Sequence, residues 1–276
     1  MAFDAQTQLA NIVVVANETM HLVEVFRTWS EVDWQRPAYC PNWQVCDAVA
    51  HLATGGDFYA QVVAAGRTGE PRPPWDVSDV VGFRAARAEA GKKLLDAGPT
   101  ALIDGFEQGA EKLQQVLSLL KQEDFAQTAW HPRGLVPIGC WIGMRLNELV
   151  IHDWDMRQPH EVNASLSITA LPAMLTVIPE IQLQFLEQRG GDSLNGVHVL
   201  RADTTSWVFT INGKAVIYQE QVPTVFDTRL ETDAESLILL TMGRADFEDK
   251  LQRGTLTIEG DVEQGRYLGE TLFRAF

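Results

Sequence analysis

Residues 145–157 read RLNELVIHDWDMR, and their arrangement decides how the first half of the chain folds. On a helix at about 100° per residue, Arg145, Glu148, His152 and Asp155 fall within an arc of about 80°. They share one face. Most of the remaining circumference is Ile142, Leu146, Val150, Ile151 and Trp154, with Trp141, Leu149 and Met156 in or beside the polar arc. A helix that is apolar nearly all round is buried on several sides.

The polar face admits two readings. Charges at i,i+3 and i,i+4 spacing make a solvated stripe, each pair adding a few tenths of a kcal/mol. The apolar neighbours argue instead for burial, where an uncompensated carboxylate and imidazole would cost several kcal/mol. A metal ion is one compensation, because side chains four apart converge on a single ion, as in His-Glu-x-x-His helices. Glu148 and His152 alone are a weak motif, so a third ligand is sought on a facing helix. His51 is the best placed, on a face shared with Ala48, Gly55, Phe58 and Val62. Two histidines and a carboxylate leave a tetrahedral ion one open position, the catalytic rather than the structural arrangement of zinc. Nickel or iron(II) suits the same donors. Asp47, one turn before His51, is a candidate to orient it, although an acidic residue in a first helical turn needs no function.

Outward from this helix, the apolar spacing from Asp4 to about Trp34 predicts a first helix, and RPAYCPNW (36–43) interrupts it. Asn42 is the expected N-cap of a second helix, from Trp43 to about Ala65. GRTGEPRPPWD (66–76) is a loop, and helical patterning resumes over 80–95 and 101–121 around a break at AGPT. The helix of the opening stretch then runs from about Cys140 to Arg157, after the turn-rich HPRGLVPIG (131–139). No convincing strand is expected in this half. After RQPHEVNAS (157–165) the pattern changes: residues 168–188 look helical, then SWVFTINGKAVIY (206–218) places two strands about Asn212-Gly213, a hairpin signal. LETDAESLILLTMG (230–243) reads as a Thr232/Glu235 capping box, an apolar helix and a terminal Gly243. LTIEGD (256–261) is a short strand before a last helix. The expected fold is α+β: a four-helix bundle over 1–160 and a smaller α/β domain over 161–276.

The chain has 276 residues, 46% of them hydrophobic and 21% charged, with a formal net charge of −15. Two soluble globular domains fit that length. The negative charge repels phosphate backbones and anionic lipid, so neither nucleic acid nor a membrane is an expected partner. No early charged and apolar pair makes a secretory signal, and no apolar run approaches the length of a span. Cys40, Cys46 and Cys140 form no Cys-x-x-Cys pair, which points to ordinary thiols in a reducing cytoplasm. His21, His131, His160 and His198 read as solvated or capping residues. There is no glycine-rich phosphate loop or Gly-x-Ser-x-Gly turn, which removes nucleotide binding and serine-hydrolase chemistry.

CPNWQVCDAVAHLA (40–53) and RLNELVIHDWDMR (145–157) resemble the metal-binding helices of the DinB-like superfamily, in particular mycothiol-dependent maleylpyruvate isomerases. GRADFEDKLQRGTLTIEGDVE (243–263) resembles the sterol-carrier-protein-like C-terminal domain that those enzymes carry. The resemblance implies a Zn²⁺ site on His51, Glu148 and His152 that activates a low-molecular-weight thiol cosubstrate as a thiolate. A metal-held thiol loses its proton well below its free pKa of about 8.5. The implied reaction is cis–trans isomerisation of maleylpyruvate to fumarylpyruvate, or thiol S-transfer to another electrophile. An anionic substrate needs cations, for which Arg84, Arg87, Arg145 and Arg244 are candidates; Arg84 and Arg244 are the expected binding residues, with Asp47, Asp155 and Arg145 supporting the metal ligands. The thiol stays open among mycothiol, bacillithiol, glutathione and ergothioneine. The competing readings are a carrier of small apolar ligands and a DinB-like metal hydrolase using zinc-bound water.

Overall fold

The computed structural model describes residues 3–189 and 194–273. The chain divides into two compact units, Met1–Ala173 and Met174–Phe276.

The first unit is built from α1 (Ala5–Thr28), α2 (Glu31–Trp34), α3 (Val45–Arg67), α4 (Val80–Ala97), α5 (Pro99–Leu117), β1 (Thr128–His131), β2 (Gly134–Pro137) and α6 (Ile138–Arg157). α1, α3, α5 and α6 pack on one another as a bundle, and α4 lies along α3 and α5. The expected first helix is two: Trp29 turns extended, and Ser30 restarts the chain as α2, its backbone and hydroxyl both held by the Asp33 carboxylate (2.7 and 2.6 Å). α1 is long and apolar enough by composition to cross a membrane, unlike the sequence expectation, but here it packs against α5 and α6.

α3 starts two residues later than expected. Asn42 adopts a left-handed conformation (φ 65°) inside a turn, the Val45 amide bonds the Arg36 carbonyl (2.9 Å), and Gln44 becomes the N-cap. The close pairing of α3 with α5 rests on two glycines: a Cβ on Gly56 would sit 2.7 Å from the Gly109 carbonyl carbon, and one on Gly109 would sit 2.8 Å from the Ala53 carbonyl oxygen. The backbones touch where side chains would normally separate them. β1 and β2, which the sequence reading missed, form a hairpin of four residues a side with His131 opposite Gly134. Runs this short hold too few residues for a period of two to stand out.

α7 (Leu171–Met174) lies at the junction. The second unit then carries α8 (Ile178–Arg189), β3 (Gly196–Ala202), β4 (Thr205–Asn212), β5 (Ala215–Gln219), β6 (Thr228–Thr232), α9 (Ala234–Thr241), α10 (Phe247–Gln252), β7 (Leu256–Gly260) and α11 (Val262–Leu272). Its sheet runs β5-β4-β3-β6-β7, parallel only between β3 and β6. The expected β4–β5 hairpin is present, but Asn212 pairs with Ala215, so the two loop residues are Gly213 and Lys214. α9 is capped by Asp233, whose carboxylate accepts from the Ser236 amide (2.7 Å); Thr232 instead closes β6 and donates to the Thr255 carbonyl. His198 is not solvated. It is fully buried on β3 between Thr228 Oγ1 (3.0 Å) and the Leu194 carbonyl (2.8 Å).

Candidate metal centre and its pocket

α3 and α6 face each other within the bundle, and their packing brings His51 to Glu148 and His152. His51 Nε2 lies 2.7 Å from Glu148 Oε2, His152 Nε2 lies 3.9 Å from the same oxygen, and the three possible ligand atoms are all within 4.8 Å of one another. The two imidazoles meet edge to face at 4.7 Å, and the Trp43 ring stacks on His152 at 5.7 Å and 27°.

Burial is the largest influence on both members of the closest pair. It pushes the His51 imidazole down to about 4 against the pull of Glu148, so the ring is neutral at pH 7. Burial would raise the Glu148 carboxyl, but the His51 hydrogen bond and the fields of His152 and Arg87 outweigh it and hold the group well below the usual carboxylate range. An ionised carboxylate beside two imidazoles that can present lone pairs is a donor set for a divalent cation. The residues fit such an ion.

The third imidazole nitrogen of the group is also accounted for. His152 Nδ1 is 2.8 Å from Asp155 Oδ2, one helical turn on, and Asp155 is completely buried. A hydrogen on Nδ1 leaves Nε2 as the free lone pair, turned towards Glu148. Cys40 donates its thiol to the same Asp155 oxygen (3.2 Å), which explains why Cys40, His152 and Asp155 also lie close enough to share an ion. Asp47 spends its carboxylate elsewhere: it accepts from the Gln44 amide (2.8 Å) as the cap of α3.

The family model of the mycothiol maleylpyruvate isomerase N-terminal domain matches residues 15–157, just over half of the chain. The chain belongs to that family. Two solved structures, of a mycothiol-dependent maleylpyruvate isomerase and of a histidine-to-alanine mutant of it, are each 16% identical to this chain, cover 92% of it and 94% of their own, and superpose with TM-scores of 0.60 and 0.61. That likeness extends the shared α+β fold over both units. A sterol carrier protein 2-like protein from Aedes aegypti is 18% identical and covers 38% of this chain and 98% of its own, with a TM-score of 0.31. No curated protein matches.

In this member of the mycothiol maleylpyruvate isomerase family, His51 and Glu148 open onto a pocket of about 720 Å³, also lined by Trp43, Asp47, Thr54, Phe83, Arg84, Arg87, Lys92, His131 and Arg133. Arg84 is therefore at the pocket. Arg87, set aside in favour of Arg84 and Arg244 on sequence alone, is nearer the histidine: its Nη2 donates to the His51 carbonyl (3.1 Å) and lies 3.3 Å from His51 Nε2. Arg244 belongs to the second unit, where its Nη1 donates to the Met242 carbonyl (2.7 Å). His131, expected as a solvated or capping residue, is half-buried in the pocket wall, a placement that only the unrecognised β1–β2 hairpin could have revealed.

Arg145 is 1% exposed, and none of its three guanidinium nitrogens has a hydrogen-bond partner among the described residues. Its charge lies over the rings of Tyr59 (5.7 Å) and Phe106 (6.0 Å), a cation–π setting. Burial pushes it down to about 10, which still leaves it charged at pH 7. Gly55 makes the room: a Cβ there would come within 2.9 Å of Arg145 Nη1.

Proposed function

We propose that this protein is a thiol-dependent isomerase that holds a divalent cation, Zn²⁺ by its donor set, on His51, Glu148 and His152. The external low-molecular-weight thiol adds to an electron-poor double bond of a small anionic substrate such as maleylpyruvate. The observation that carries the reading is the convergence of two imidazoles and one ionised carboxylate at the wall of a cation-lined pocket. Family membership supports the choice of thiol chemistry.

A divalent cation at these donors would lower the pKa of a thiol brought to its open position. The chain's own residues do the rest. Asp155 keeps the His152 ring in the tautomer and orientation that present Nε2. The Trp43 ring stacks on His152 and leans at a tilt against His51, restricting both imidazoles. Arg84, Arg87, Lys92 and Arg133 concentrate positive charge at one place on a chain of net charge −15, which gives an anionic substrate somewhere to dock. Once sulfur has added to the double bond, the former double bond is single and rotates; expulsion of the thiolate then restores it in the trans geometry. S-transfer to such an acceptor begins with the same addition and differs in that a proton taken up at the enolate carbon retains the saturated adduct.

The test is metal analysis of the purified protein with calorimetric titration against mycothiol, bacillithiol, glutathione and ergothioneine, followed by turnover of maleylpyruvate with whichever thiol binds. One thiol should bind tightly to the metal-loaded protein and not to His152→Ala. A protein that takes up no divalent metal and binds none of the four would refute the proposal.

A further inference from the structure

The β1–β2 turn delivers a second kind of group to the same pocket. His131 is the last residue of β1, its backbone paired with Gly134. The Arg133 backbone N–H donates to His131 Nδ1 at 3.2 Å. A ring nitrogen that accepts a hydrogen bond carries no hydrogen of its own, so in the neutral ring the hydrogen is on Nε2. The ring is neutral: burial, then the Arg133 charge, push it down to about 4. Its orientation is held a second time by the edge-to-face contact with Trp141 at 5.6 Å and 67°. The hairpin thus sets the tautomer, and Trp141 of α6 sets the tilt.

We propose that His131 is a catalytic hydrogen-bond donor, its Nε2–H meeting the substrate oxygen on which negative charge develops when a thiolate adds to a carbonyl-conjugated double bond. In that step a sulfur lone pair forms the S–C bond, the carbon–carbon π pair moves to the adjoining bond, and the carbonyl π pair moves onto oxygen as an enolate. No proton leaves His131. Reversal expels the thiolate and returns the electrons. A neutral donor suits this sequence, because an imidazolium would protonate the enolate and trap the saturated adduct, whereas a fixed N–H only lowers the energy of the charged species. The cations of the pocket hold most of the substrate's permanent charge; the His131 N–H bonds one oxygen of the bound ligand, a carboxylate oxygen in maleate, and tightens as charge develops on that oxygen during addition.

The rate effect presupposes the thiol-addition chemistry proposed above, whereas the tautomer and the binding of a carboxylate do not. ¹⁵N NMR of the histidine-labelled holoprotein at pH 7 should show His131 protonated at Nε2, with that resonance moving on addition of maleate. His131→Ala should weaken maleate several-fold and lower kcat by about 100-fold, the scale of losing one oxyanion donor, with metal content and thiol affinity unchanged. His131→Gln, whose amide can reach the Nε2 position, should recover part of both. A hydrogen on Nδ1, a maleate affinity indifferent to the Ala change, or a kcat within twofold of the parent would each overturn the assignment. If the parent protein binds thiol but does not turn over maleylpyruvate, the substrate proposal fails, and the NMR and maleate measurements still judge His131.

Discussion

His152 Nδ1 and Asp155 Oδ2 stand 2.8 Å apart, one turn from each other on α6 and both buried. The carboxylate holds the ring in the tautomer that leaves Nε2 for a cation. Asp155→Asn puts an amide there whose NH₂ can donate to Nδ1 and move the ring hydrogen to Nε2. Zinc affinity, measured by competition with a chromogenic chelator, should fall about 10- to 100-fold. An unchanged affinity would separate Asp155 from the site.

Gly56→Ala should destabilise the protein although it improves helix propensity. In an exposed helix the change gains up to about 1 kcal/mol. Here the new methyl would lie 2.7 Å from the Gly109 backbone, so α3 and α5 must separate, and overpacking of this kind costs about 1–3 kcal/mol. The urea midpoint should drop. A rise would mean that the two helices do not approach as closely as described.

Arg145→Met and Arg157→Met should differ in sign. Arg145 has no acceptor among the described residues, and an apolar side chain of similar length in its place should leave stability unchanged or raise it. Arg157 donates twice to the largely buried Asp153, at 2.6 and 3.0 Å. Removing it strands that carboxylate, so thermal unfolding should move down. If Arg145→Met is the more damaging, the cation–π contacts with Tyr59 and Phe106 outweigh the missing acceptors.

Stability should fall as pH is lowered from about 6.5 towards 4. An unfolded histidine takes up its proton near pH 6.5, whereas folded His131 stays neutral down to about 4. Over that window the unfolded state binds more protons and is favoured as pH falls. His131→Phe should therefore flatten the decline by at most about 1.4 kcal/mol per pH unit, measured by urea unfolding at pH 5 and pH 7. A slope that does not change would place His131 in water.

Much of the bundle was legible because helical periodicity is a property of neighbours in sequence. Arg145, Glu148, His152 and Asp155 share a face by arithmetic, and α4, α5 and α6 begin and end close to where their patterns do. Errors came where a local pattern had a tertiary competitor. Asn42 is a good N-cap by type, yet the bond from the Val45 amide to Arg36 moves the helix start past it. Thr232 begins a capping box on paper, but the β-sheet claims it and Asp233 caps α9 instead.

What the sequence by itself determined is the pairing of Glu148 with His152 on an apolar helix, and His51 on another helix with small residues beside it, because four residues of helix set both distance and direction. Only the tertiary structure decided that these two helices face each other, that Arg87 rather than Arg84 lies against His51, and that a two-stranded hairpin carries His131 into the same pocket. Those relationships join residues tens of positions apart. Side-chain packing between elements determines them, and no periodicity within an element encodes it.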